Sequence, residues 1–329
     1  PLCAYWIGEK MIKYTIKKLL MMIPMLLIIS ALIFFGMKAT GIDPINYLAS
    51  PDIVANPALL EELRESMGLN DPAIVQYFRW LGEMLKGNFG ISLSTGTAIA
   101  DIIKNYLPAT LILSGISLVV STILGIAFGI ISAVRQNGIF DYIGRFLAVL
   151  GQAVPQFIIG VILLAIFSVN LGWLPSSGRF SANGAGSFLD SVQHLILPVI
   201  AVTIPMCAVL VRYTRNSMLD IMNSDFIKLA RSKGIPEWKV YIKHGFRNAL
   251  RPVLVILVFR ISLLFSGSVV VENVFAWPGV GAKLTESVVS GDYTVVMVLA
   301  LVIAASVLVA SFLLDIISAL LDPRVRANL

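Results

Sequence analysis

The stretch Arg212–Pro252, RYTRNSMLDIMNSDFIKLARSKGIPEWKVYIKHGFRNALRP, is the one long polar and basic interval in the second half of the chain, and it lies between two apolar runs long enough to cross a bilayer. Asp225 to Ser232 reads as a short helix, Gly234 as a left-handed stop, and Pro236 with Glu237 as the start of a second helix reaching to about Leu250. In that second helix Trp238, Ile242 and Phe246 recur at i, i+4 and i+8, which leaves Lys239, Lys243, Arg247 and Arg251 for water or an acidic partner. The expectation is a helix-turn-helix on one membrane face with an apolar stripe free to dock.

Of the 329 residues 57% are hydrophobic and 13% charged, too apolar a balance for a protein with an ordinary aqueous surface. This composition implies an all-α integral membrane protein with six transmembrane helices, since windows at about 19–37, 108–133, 146–169, 194–211, 253–271 and 294–314 each supply roughly 20 mostly apolar residues. Lys10, Lys13, Lys17 and Lys18 precede the first run and place a segment 1–18 in the cytoplasm; the run itself outlasts the apolar core of a cleaved signal, so it reads as a retained span. Pro1–Lys10 looks detached from the first span, with Met11 a natural beginning. Six spans return the C-terminus to the cytoplasm. The charges agree, because Arg135, Arg145, Arg212, Arg215 and the basic residues of 212–252 fall on inner segments, whereas the short outer loops hold only Arg179 and Lys283. The net charge of +6 is thus topology and anionic-lipid contact rather than nucleic-acid binding. Cys3 and Cys207, like His194 and His244, are too few and too scattered for a disulfide framework or a metal site.

The segment 39–106 between the first two spans has ordinary soluble character. Pro57–Ser66 reads as a helix capped by Asn56, Gly68–Pro72 as a turn, and Ala73–Leu85 as a second helix, with Tyr77, Phe78 and Trp80 packing onto the outer ends of the spans. From 107 to 329 runs a core with five spans. The second span carries Ser114, Gly115, Ser117, Ser121, Gly125 and Gly129, a small-residue face that suits tight helix packing or, less simply, a pathway lining. The third begins with Gln152, Pro155 and Gln156, where a proline kink is expected and the amides either face a polar cavity or satisfy backbone. Pro198 and Pro205 suggest that the fourth is bent or broken. The loop 170–193, with Trp173 and a Gly/Ser-rich interval, reads as a surface connection.

Arg260, roughly two turns into the fifth span, needs a reason, either snorkelling or internal pairing on the one hand or a place in a central cavity on the other. Beyond it, Glu272, Asn273, Val274, Phe275, Ala276, Trp277, Pro278, Gly279, Val280 and Gly281, followed by Gly291-Asp292-Tyr293, read as an outer loop with a short helix beginning near Gly281. These glycines fail as a phosphate loop, because Ala282 precedes Lys283 and Leu284 follows it, and as a dinucleotide fingerprint, because Leu284 stands at the third glycine position.

Four of these separated stretches resemble permease subunits of ABC importers, in the dipeptide, oligopeptide and nickel branch. The basic interval is similar to their cytoplasmic loop through Ala230, Arg231, Lys233 and Gly234, followed by His244, Arg247, Asn248 and Pro252; the outer region through Gly68-Leu69, Pro72, Gln76-Tyr77, Trp80 and Gly87-Asn88-Phe89-Gly90 with Ser92; the late loop through Glu272, Trp277, Pro278, Gly279 and Asp292; the C-terminus through Asp322-Pro323-Arg324. The resemblance implies a type I importer permease fold, a second homologous permease beside this one, and two ATPase subunits that bind the loops and hold the ATP and magnesium. It also implies an extracytoplasmic substrate-binding protein and a prokaryotic cell membrane. On that view the chain carries no cofactor and catalyses nothing, Pro236, Trp238 and Tyr241 belong to the ATPase contact, and Gln152, Gln156 and Arg260 are candidates for the pathway. Peptides are the expected cargo, with nickel or a metal chelate as the alternative on the same fold. An ion-coupled secondary transporter lacks support from an inverted repeat or intramembrane charges, and an intramembrane enzyme lacks a recognisable catalytic constellation.

Overall fold

Inside a bilayer each backbone N–H and C=O must be met within its own segment, so long apolar runs fold as helices. The computed structural model describes residues 2–41, 45, 57–181 and 186–321, and it is built from helices. In chain order these are α1 (Leu2–Ala39), α2 (Pro57–Ser66), α3 (Ala73–Leu85), α4 (Ile99–Val134), α5 (Ile139–Ala153), α6 (Gln156–Asn170), α7 (Phe188–Met222), α8 (Asp225–Ser232), α9 (Arg247–Val274), α10 (Val280–Val289) and α11 (Tyr293–Leu321). The last seven residues of α6 have the wider π winding, and a π segment Val240–Phe246 with Glu237–Lys239 before it prolongs α9 toward α8. Among the described residues four helices are long and apolar enough to cross a membrane, and α5 with α6 makes a fifth if the bent pair counts as one span. α9 covers the remaining window, 253–271, although the side chains of 258–259 and 261–267 lie outside the described set.

The centre of the bundle is α4 against α7. Ser114, Ser117, Ser121, Gly125, Gly129 and Ser132 recur at three- and four-residue steps on α4, and all are buried. A Cβ on Gly125 would stand 2.5 Å from Leu210 Cβ, and one on Gly129 2.5 Å from Thr214 Cβ, so the two helices touch backbone to side chain. The small-residue face is therefore a packing face. A core of Ala109, Leu113, Leu197, Val202, Met206, Val271 and Trp277 ties α4 and α7 to the end of α9. α1 packs on α11 and α3: Phe34, Tyr77 and Met297 form one cluster, and the Ser30 and Tyr77 hydroxyls meet at 2.9 Å.

Several local expectations change. The bend expected at Pro155 is present and is more than a kink: the helix breaks at Val154 and Pro155, both in extended conformation, and its halves meet at 104°. Pro155 has no N–H to lose, so the break there is cheap. Conversely, α7 stays one helix through Pro198 and Pro205, both of which it encloses while packed along α4. Residues 2–10 are helical and run on into α1, while their side chains lie outside the described set. α4 begins at Ile99, well before the apolar window, so the end of the 39–106 segment is already its first turns. α2 and α3 occupy Pro57–Ser66 and Ala73–Leu85, while Asn56 lies outside the described residues. Tyr77 and Trp80 pack against Phe34, but Phe78 is exposed.

Candidate functional site

The two ends of the bundle carry the candidate residues, and they are built differently. At the loop end, α8 stops at a Schellman turn: Ile235 N–H donates to Ala230 O at 3.3 Å, Gly234 N–H to Arg231 O at 2.9 Å, and Gly234 sits at φ +70°. Only glycine adopts that conformation without strain. Ile227, Ala230 and Val240 close a small core beneath the turn. Arg231 then reaches across it and grips Glu237, with Nε 3.0 Å from one carboxylate oxygen and a terminal nitrogen 3.4 Å from the other. The Tyr241 hydroxyl bonds the same carboxylate, and this bond first, then Arg231, holds Glu237 below its ordinary value. The turn is thus held by the chain's own hydrogen bonds.

The outside of this hairpin is apolar. Trp238 is 63% exposed, Leu229 55%, Ile242 49% and Phe226 43%. Lys239 lies 5.3 Å over the Trp238 ring, and Lys228, Arg231, Lys233, Pro236 and Arg247 are exposed around it. Ala230 is buried and His244 half-buried. The expected stripe is only partly present: the second helix does not end near Leu250 but runs through the π segment into α9, and Phe246 packs beside Ala133, Met218 and Ala249 instead of joining Trp238 and Ile242. Wider π winding shifts the register by which an i, i+4, i+8 rule would have aligned the three.

At the far end the corresponding residues are sealed. Trp277 and Glu272 are fully buried and Asp292 nearly so. Trp277 donates its indole N–H to Ala109 O at 3.0 Å. The Glu272 carboxylate takes the Thr110 hydroxyl at 2.7 Å and the Ala282 N–H at 3.0 Å, with the Gly281 N–H and Ser268 also donating. Glu272 thereby stands at the N-terminus of α10, where free N–H groups and the helix dipole favour an anion. Thr110 also accepts the Val280 N–H at 2.8 Å. A Cβ on Gly279 would collide with the Glu272 carboxylate, and one on Gly281 would lie 2.8 Å from it. Ala276 is held at φ +46° between buried Phe275 and Trp277, while Pro278 is half-buried. Asp292 caps α11 and receives the Ser92 and Ser94 hydroxyls together with the Leu93 and Ser94 N–H groups. Burial pushes its carboxyl up, but these four donors outweigh it and the net shift is downward. Two stretches two hundred residues apart in sequence are thus one structure.

The pathway candidates do not converge on one point. Gln152 is exposed and gives its amide to Ala148 O of its own helix at 2.8 Å, while Gln156 opens α6 half-buried. Arg260 is half-buried, feels the Tyr213 hydroxyl, and among the described residues has no carboxylate in ion-pair range. Sequence reading missed Asp141 and treated Arg215 as mere inner charge; in the structure they form a buried bidentate pair. No spacing rule links positions 74 residues apart.

Comparison with known proteins converges. A family model described as the inner membrane component of binding-protein-dependent transport systems matches residues 125–327, and its N-terminal companion matches residues 11–114. The chain is 42% identical over 317 residues to the oligopeptide transport system permease protein AppB of Bacillus subtilis, a match covering 96% of this chain and 100% of that protein. It is 36% identical over 316 residues to the glutathione transport system permease protein GsiC of Escherichia coli K12, covering 96% and 99%. Among solved structures, an inward-facing form of the MetNI methionine ABC transporter shares the fold at TM-score 0.53 and 17% identity, covering 65% of this chain and 93% of that one.

Proposed function

The chain belongs to the family of inner membrane components of binding-protein-dependent transport systems, so it is a multi-pass transport permease that works with other subunits, and on that premise we propose that it forms half of the pathway of an ATP-driven peptide importer. Its partners are a second homologous permease, two ATPase subunits that hold ATP and magnesium and perform the hydrolysis, and an extracytoplasmic protein that delivers di- or oligopeptides. The peptide assignment rests on what the relatives are named for, an oligopeptide in one case and the tripeptide glutathione in another. Nickel is not favoured by these names. The membrane is the prokaryotic cell membrane, six spans cross it, and the loop end with both termini faces the cytoplasm, in keeping with the basic residues gathered there.

The observation that carries this reading is the exposed apolar hairpin Phe226, Leu229, Trp238 and Ile242 on a hydrogen-bonded turn, rimmed by lysines and arginines. An apolar anchor inside a charged rim fits a groove on an ATPase, and the covalent continuity of the hairpin with α7 and α9 turns groove motion into span motion. Arg260 faces the pathway and attracts the carboxylate of a passing peptide; Gln152 and Gln156 flank the break at Val154–Pro155. Arg260→Met is expected to impair uptake with normal membrane insertion, and unchanged uptake across substrates would dispose of that role.

The test of the whole reading is the ATPase activity of the co-purified complex in lipid, before and after adding a binding protein loaded with a dipeptide. Stimulation that is lost in Trp238→Ala while the permeases stay paired is expected. Stimulation by a nickel-loaded protein alone would overturn the cargo, and no associated ATPase would overturn the mechanism.

A further inference from the structure

Asp141 has no solvent exposure, yet both its carboxylate oxygens are hydrogen-bonded. Its carboxylate accepts the Ser132 hydroxyl and Arg215 Nε at 2.6 Å on one oxygen, and a terminal nitrogen of Arg215 at 2.8 Å and the Asn137 N–H at 3.0 Å on the other. Arg145 stands further off at 3.8 Å. Four segments meet there: the end of α4, the turn after it, the first turn of α5, and α7 about two turns before its own end. A buried ion pair gives little stability over well-packed apolar residues, so what this one supplies is fixed geometry.

That geometry joins α5 to α7. Asp141, Gly144, Ala148 and Gly151 recur at three- and four-residue steps on α5. Ala148 is buried, and a Cβ on Gly151 would lie 2.9 Å from Ala208 Cβ, so α5 lies flush along α7 from the ion pair to the break. Beyond the break a second attachment is added. On α6, which still packs on α7, a Cβ on Gly160 would meet Phe275 at 3.2 Å and Val274 at 3.3 Å, so this half also rests on the far end of α9, next to the sealed cluster of Glu272 and Trp277. The bent pair is thus fastened at one half to the stem of the exposed hairpin and at the other half to the far ends of α7 and α9. Between them lie only Val154 and Pro155, neither helical.

We propose that Asp141 and Arg215 are positioning residues for transport: the pair latches α5 to α7, so that displacement of the loop hairpin swings α5 about Val154–Pro155 and changes the inner mouth of the pathway. The latch rests on the importer reading above. Breaking it leaves the hairpin able to bind and drive the ATPase, but α5 no longer moves with it, and ATP is hydrolysed without a matching yield of transported substrate.

The experiment uses the whole complex in proteoliposomes and measures dipeptide uptake and ATP hydrolysis together for wild type, Asp141→Asn, Arg215→Gln and Arg215→Lys. Asn and Gln keep the volume and part of the hydrogen bonding while removing the charges. In the first two variants uptake per ATP is expected to fall about tenfold while ATPase activity stays, and Arg215→Lys, which restores one charged bond, is expected to recover part of the ratio. Spin labels at Phe146 and Phe157, both exposed and on opposite sides of the break, are placed after Cys3 and Cys207 are replaced by serine. They should report an ATP-dependent distance change in wild type that shrinks in Asp141→Asn. Parallel loss of uptake, ATPase activity and thermal stability would mean a structural role only and overturn the proposal, as would a wild-type distance that ignores ATP while uptake proceeds. Absence of ATP-driven uptake in wild type would instead bring down the importer reading and the latch with it.

Discussion

The loop end and the far end hold the same kind of residues, tryptophan, charged side chains and turn glycines, and the structure uses them in opposite ways. At the far end Trp277, Glu272 and Asp292 spend their apolar surface and their hydrogen bonds on their own chain. At the loop end Trp238 is largely exposed, as are Lys228, Lys233, Lys239 and Arg247. A residue's type does not say which job it has; whether its surface is already covered does.

The sharpest contrast is Glu272→Ala against Trp238→Ala. Removing the Glu272 carboxylate strands the Thr110 hydroxyl and the Gly281 and Ala282 N–H groups in a buried site, and a loss of about 3 kcal/mol or more is expected, read as a collapse of the melting transition of the purified complex. If Glu272→Ala melts like wild type, the far end is not a lock. Trp238→Ala should leave the isolated permease within ~0.5 kcal/mol but weaken ATPase association by about 2 kcal/mol, measurable by titrating the ATPase onto permease in nanodiscs.

The glycines make the same comparison on a smaller scale. An alanine at Gly279 must displace the Glu272 carboxylate, whereas a Cβ on Gly234 meets nothing within 4 Å and incurs only the left-handed backbone strain, about 1–2 kcal/mol. Gly279→Ala is therefore expected to lower the melting temperature more than Gly234→Ala; the reverse order would break the comparison.

The smallest effect is that of pH. Asp292 is held below its ordinary value, so its contribution is fully present above the unfolded-chain pKa of about 3.9 and is lost as pH falls through the lower folded value. Amide protection factors around Ser92–Ser94, with the intrinsic pH dependence of exchange divided out, should be unchanged from pH 7 to about 4.5 and fall only below about 4, and Asp292→Asn should abolish that step. Glu237 shifts in the same direction at the loop end, but it is exposed and solvent-screened, so acid is expected to leave no comparable mark there.

Much of the architecture was legible in the sequence. Hydropathy marked the helices because a membrane leaves the backbone no alternative, and Gly234 with Pro236 marked the turn because few residues accept those dihedral angles. The small face of α4 was visible in its spacing, but whether it packed or lined a pathway depended on Leu210 and Thr214 facing it from α7. Phe246 was misread because a π segment is set by tertiary packing and leaves no mark on an i, i+4 pattern.

What the amino-acid order determined by itself is the membrane class, the turns and which residues carry charge, all consequences of local chemistry. What only the tertiary structure decided is which of them meet. Ser92 finds Asp292, Thr110 finds Glu272, and Asp141 finds Arg215 because helix packing, not sequence distance, brings them together. Trp277 and Trp238 part company for the same reason: one indole is covered by the chain's own helices, and the other is left for something else to cover.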